Sequence, residues 1–171
     1  YHLTGNKGYF NSKIAFVSSG SKHKEIYFCD FDGYGSKRFT FMNSISLFPA
    51  WSSDGTRLAY TSYKNGKPDI YIQPLAGKSV YQVNEKGTNI APAWAPNTDA
   101  LAATLSFSGD QEIYLLTGKG KIIKRLTNNR GIDVSPTWSP DGKKMAFVSD
   151  RAGSPQIFIK DFRTQRVKRL S

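Results

Sequence analysis

Few side chains in this sequence have the chemistry of a catalyst. The two histidines, His2 and His23, stand in polar surroundings without a second ligand nearby in sequence, so neither a zinc site nor a nucleophile–base pair is indicated. The one cysteine, Cys29, lies in a run of alternating large residues and reads as an inert buried thiol. Alone it can close no intramolecular disulfide and supports no thiolate cluster. No Gly-x-Ser-x-Gly elbow occurs. Gly77-Lys78-Ser79 has Ile72 where a phosphate-binding loop needs its first glycine. Asp54, Asp99 and Asp141 recur at spacings of 45 and 42 and invite a carboxylate-ligand reading, but their places at hairpin tips make them turn formers. The expectation is no reaction, no cofactor and no metal.

What the side chains do supply is positive charge. The chain carries 24 Lys+Arg against 13 Asp+Glu, a formal +11. Residues 119–171 hold 13 of those cations and 4 of the acids, a net +9, leaving +2 for everything before. Lys121, Lys124 and Arg125 form one cluster with Lys119 and Arg130; Arg163, Arg166, Lys168 and Arg169 form a second with Lys160. The clusters lie one repeat apart and are expected side by side on an outer rim. Two readings stay open, a solvated face or a salt-sensitive contact with an anion. Nucleic acid suits the charge but not the aromatic pattern, whose Tyr and Phe lie in strand cores away from the cations.

The elements that would position these groups follow from an internal repeat. Pro49-Ala50-Trp51-Ser52 returns as Pro92-Ala93-Trp94-Ala95 and as Pro136-Thr137-Trp138-Ser139, with tryptophans 43 and 44 apart. A second word reads Ile14-Ala15-Phe16, Leu58-Ala59-Tyr60, Leu101-Ala102-Ala103 and Met145-Ala146-Phe147. A third reads Glu25-Ile26-Tyr27, Asp69-Ile70-Tyr71, Glu112-Ile113-Tyr114 and Gln156-Ile157-Phe158. A fourth closes each unit: Arg38-Phe39-Thr40, Gln82-Val83-Asn84, Arg125-Leu126-Thr127 and Arg169-Leu170-Ser171. Each word is short, rich in Ile, Val, Phe and Tyr, and bounded by Gly, Asn or Asp, which is strand chemistry. Nothing carries a helical period.

The unit is a four-stranded antiparallel meander of about 43 residues, the size of a β-propeller blade. The predicted fold is all-β, with a lead-in at 1–12 and blades at 13–42, 43–85, 86–129 and 130–171. The first blade lacks its innermost strand, giving fifteen strands. Tryptophans on the innermost strands should fill the wedges between blades, and the small alanines of the second strands should let the next sheet approach. The Pro before each Trp is expected to start its strand, where a missing donor is tolerated. Open blade edges would favour self-association. The composition, 39% hydrophobic and 22% charged, is that of a folded chain, and no run approaches the ~18 apolar residues of a membrane-spanning helix.

Pro136-Thr137-Trp138-Ser139-Pro140-Asp141-Gly142, the lead-in Leu3-Thr4-Gly5-Asn6-Lys7-Gly8-Tyr9-Phe10 before Ile14-Ala15-Phe16, and the turn Asp30-Phe31-Asp32-Gly33-Tyr34 together resemble the TolB-type propeller family over the whole chain. The resemblance implies a six-bladed ring whose first blade is completed by the last strand of the chain, so that about four of six blades are present here. It also implies that the chain, beginning at Tyr1, is part of a longer secreted protein. The implied function is a non-catalytic periplasmic scaffold of the Tol-Pal envelope system. It would bind the peptidoglycan-associated lipoprotein Pal over the central mouth, and support outer-membrane integrity and cell division. The partner surface implied is built from loops leading into the innermost strands, which here are Ser46-Leu47-Phe48, Thr88-Asn89-Ile90-Ala91 and Asp133-Val134-Ser135. The family often has His at the place of Thr88 and Glu at that of Ser135, and this chain departs at both. The resemblance does not account for the basic clusters: beside a solvated face, the sharper expectation for them is a contact with anions such as phosphate groups of the envelope surface. The alternative is the propeller domain of a larger peptidase or other hydrolase.

Overall fold

The computed structural model describes residues 12–77 and 79–170. Most of the predicted lead-in, including His2, lies outside the described residues. Four antiparallel meanders follow one another along the chain. Blade 1 contains β1 (Lys13–Ser18), β2 (Glu25–Asp30) and β3 (Lys37–Arg38). Blade 2 contains β4 (Ser46–Trp51), β5 (Arg57–Ser62), β6 (Asp69–Pro74) and β7 (Tyr81–Val83). Blade 3 contains β8 (Asn89–Trp94), β9 (Ala100–Leu105), β10 (Glu112–Thr117) and β11 (Ile122–Arg125). Blade 4 contains β12 (Asp133–Trp138), β13 (Lys144–Ser149), β14 (Gln156–Asp161) and β15 (Val167–Arg169). Strands pair in chain order within each sheet, as short turns require.

The core lies in the seams between sheets rather than inside any one of them. Ile26, Leu58, Tyr60 and Tyr71 close the first seam with Phe39 and Trp51. Ala59, Ile70, Ile72, Trp94, Leu101 and Leu116 belong to the second. Ala102, Ile113, Leu126, Met145, Phe147 and Phe158 close the third, with Trp138 against it. A tryptophan thus stands at every seam, and Ala59, Ala102 and Ala103 are fully buried where the neighbouring sheet comes close. Each fully buried Ile or Leu contributes roughly 1.5–3 kcal/mol, so the seams carry most of the stability. This explains why β5 and β9 are apolar or small along nearly their whole length instead of alternating: both faces are covered.

The start of the third strand in blades 1 to 3 adds a second cohesive device. Glu112, fully buried, accepts from Arg125 Nη2 at 2.7 Å, Thr127 Oγ1 at 2.5 Å and the Asn129 amide at 2.7 Å. Glu25 repeats this in blade 1 with Arg38, Thr40 and the Asn43 amide. In blade 2 the shorter Asp69 takes Lys67, Gln82 and Asn89 instead. A buried carboxylate is tolerable here because each oxygen accepts at least one donor.

One expectation about the turns needs revision. Asp54 and Asp141 do form their turns: each accepts from the hydroxyl two residues before and the amide two residues after. Both precede a glycine at φ 69°, a value an L side chain rarely adopts. Asp99 does not belong with them. Asn97, at φ 57°, takes the corresponding place in blade 3, and Asp99 receives Arg57 Nη2 from blade 2 at 2.5 Å.

Candidate partner-binding face

The innermost strands β4, β8 and β12 do not begin at their prolines. Pro49, Pro92 and Pro136 sit fourth of six residues, inside the strand. The expected loops before them are therefore strand, apart from Thr88, which immediately precedes β8. The chain accommodates a mid-strand proline by a bulge: pairing with the second strand slips between Leu47 and Ala50, Ile90 and Ala93, and Val134 and Thr137. A proline offers no amide to the ladder, so it is placed where pairing is already interrupted.

The residue before each proline carries the cost. Phe48, Ala91 and Ser135 have φ of 54°, 52° and 54°, the left-handed region, with no glycine among them. Each such residue costs on the order of 1–2 kcal/mol. Two are held there by the preceding blade: the Ala91 amide donates to Thr61 Oγ1 at 3.2 Å, and the Ser135 amide to Thr104 Oγ1 at 3.2 Å. Blade 1 has Val17 at the corresponding position, which offers Phe48 no hydroxyl. The three bulges meet in a shallow cavity of about 280 Å³ lined by Phe48, Pro49, Ala91, Pro92, Ser135 and Pro136. This ledge is uncharged and open, and Phe48 is 48% exposed on it.

The remaining residues expected at the partner surface divide by depth. Ser46, Asn89 and Asp133 open their strands fully buried and point into the body. Ser46 Oγ lies 3.4 Å from Ser62 Oγ, and Asn89 Nδ2 donates to Asp69 at 3.1 Å and the Glu85 carbonyl at 2.8 Å. Asp133 accepts both of its contacts from Arg151 Nη2, at 2.9 and 2.7 Å. These three anchor the face from behind. Leu47, Ile90, Val134 and Thr88 are half-buried, and the Thr88 amide donates to Ser106 Oγ at 2.7 Å. The side chains of the ledge itself, Pro49, Pro92 and Pro136 included, are what sequence reasoning undervalued. The signal was the proline recurring with a threonine about 30 residues upstream in two of the blades.

The basic residues are also divided. Arg125 is committed to Glu112 and to the Thr127 carbonyl, and lines a groove between blades 3 and 4 with Arg151 and Lys160. Arg166, Lys168 and Arg169 line a different groove within blade 4, with Lys144, Asp161 and Leu170. Lys121, Lys124 and Arg163 are exposed. No group of three or more His, Cys, Asp or Glu side chains gathers as a metal cage among the described residues.

The TolB beta propeller domain model matches residues 1–171. The Tol-Pal system protein TolB of Desulfosudis oleivorans is 60% identical over 127 residues, covering 74% of this chain and 29% of that protein. A TolB homolog of Chlorobaculum tepidum is 51% identical over 125 residues, with 73% and 29% covered. The crystal structure of TolB from Acinetobacter baumannii has a TM-score of 0.83 at 36% identity, over 99% of this chain and 44% of that one. The chain thus spans under a third of the length of these curated relatives and under half of the solved one. With the blade repeat and its proline bulges, the match over the full sequence means that this chain belongs to the TolB β-propeller family.

Proposed function

We propose that these blades are part of a non-catalytic periplasmic scaffold of the Tol-Pal envelope system, which binds the lipoprotein Pal at the proline ledge and so supports outer-membrane integrity and cell division. The observation that carries the reading is the ledge: three successive inner strands hold left-handed residues at one level, and Phe48 and Ser135 stand exposed on an uncharged, pre-organised surface whose floor is the buried Ala91, Pro92 and Pro136. Strained backbone held by neighbouring blades loses little freedom on binding, which favours recognition of a protein segment. Relatives named as Tol-Pal system proteins favour this over the propeller of a hydrolase. No reaction is assigned to the chain.

Binding of the purified protein to purified Pal, measured by calorimetry, tests the reading. Phe48→Ala and Ser135→Arg should each weaken binding about tenfold, since an exposed aromatic and a charge introduced on an uncharged ledge act at the contact itself. Substitutions at Asn65, on the second-to-third-strand turn of blade 2, should leave it unchanged. Absence of binding, or equal affinity for all variants, would sink the proposal.

A further inference from the structure

We propose that the groove between the outer parts of blades 3 and 4 is a binding site for a phosphate-bearing anion, with Lys160 as its direct contact, Arg125 and Arg151 as its basic wall, and the exposed Lys124 adding positive charge from outside the lining. The groove encloses about 440 Å³ between Arg125, Leu126, Thr127, Asn128, Arg151, Lys160 and Val167. That is room for a phosphate and an attached organic group, for which Leu126 and Val167 offer an apolar side.

The charges are unbalanced in one direction. Two carboxylates stand behind the groove, Glu112 and Asp133, and both are fully buried. Arg125 pairs with the first and Arg151 with the second. Among the described residues no carboxylate lies within ion-pair distance of Lys160 or Lys124. Lys160 Nζ donates to the Leu126 carbonyl at 2.7 Å and rests 5.7 Å from the Phe162 ring centre. An ammonium has three donors, so that one carbonyl leaves capacity for an anion.

The position itself is unusual within the repeat. Where blade 4 has Lys160, blade 3 has the fully buried Leu116, blade 2 has Gln73 and blade 1 has Cys29. Only blade 4 places a cation at this level of a seam. Burial pushes the Lys160 amine below its ordinary pKa, and the neighbouring Lys124 and Arg151 push it further. A phosphate in the groove would relieve both effects at once, by supplying the countercharge that no side chain provides. Arg166, Lys168 and Arg169 belong to the other groove and are not part of the site.

The test is a titration of the purified protein with inorganic phosphate at low ionic strength, followed by amide chemical shifts, with a parallel co-sedimentation on phosphatidylglycerol vesicles. Saturable shifts are expected at Leu126, Thr127, Asn128, Arg151 and Val167. Lys160→Met should weaken binding about tenfold and Lys124→Met, which removes a nearby charge, about threefold, while Lys64→Met on blade 2 should not weaken it. Lys124→Met alters an exposed residue and keeps the test sound should Lys160→Met disturb the seam. Saturation without vesicle binding identifies a soluble phosphoester as the ligand class, and saturation together with vesicle binding that falls in both groove variants identifies a lipid headgroup. Shifts spread over all basic residues, no saturation, or equal affinity in the variants would overturn the site.

Discussion

Ile113 and Ile157 occupy the same place in successive blades, yet Ile113 is fully buried and Ile157 is 48% exposed. Leu126 and Leu170 show the same contrast, at 5% and 56%. The difference is the neighbour, not the residue. Ile113 faces Met145, Phe147 and Phe158 across the third seam, whereas Ile157 lies on the side of blade 4 turned away from blade 3. A blade therefore stabilises little by itself. Its apolar faces become core only when a second sheet covers them, and stability is held by pairs of blades. The polar groups repeat the lesson: Glu112 is enclosed with Arg125, while the corresponding Gln156 is half-buried and its side chain donates to Ser154 Oγ at 3.4 Å.

Ile113→Ala against Ile157→Ala is the sharpest way to break this comparison. The first should cost about 4 kcal/mol, because it removes buried methyl groups and leaves a cavity in a packed seam. The second should cost about 1 kcal/mol or less. Urea unfolding of the two variants measures both, and equal losses would mean that the seams are not where stability resides. Glu112→Gln comes next, at about 2–3 kcal/mol, since it leaves a buried amide facing three donors and Arg125 without its countercharge. Gln156→Ala should stay within about 0.5 kcal/mol. A Glu112→Gln loss as small as this would show that the buried network is incidental to folding.

The parts legible in the sequence were those that recur. Four words at one period disclosed the strands, the tryptophan wedges and the small alanines, because a repeat multiplies weak local signals. The ledge was hidden for a physical reason. Phe48, Ala91 and Ser135 disfavour left-handed backbone, and local preference argues against a strand running through the proline that follows each. Contacts from the preceding blade override it at Ala91 and Ser135, through Thr61 and Thr104. Asp99 was misread by matching letters rather than register: Asn97 has the turn, and Asp99 bridges to Arg57. The division of the basic residues between two grooves likewise depends on which sheet each strand faces.

The smallest effect refines the comparison at the turns, where blade 2 has Asp54 and blade 3 has Asn97. The Ser52 hydroxyl and the Thr56 amide hold the Asp54 carboxyl down at about 2, against an ordinary value of 3.8. A folded-state value below the unfolded one means that the turn favours the carboxylate. Its contribution is present above about pH 4 and fades as the pH falls toward 2. Because Asp54 is largely exposed, solvent screening keeps that contribution well under about 1 kcal/mol. Asn97 occupies the matching place without titrating. Asp54→Asn should therefore be slightly less stable than the parent at pH 6 and indistinguishable from it near pH 2, measured as urea midpoints across that range. A difference that stays constant with pH would mean that the turn depends on the shape of the side chain rather than its charge.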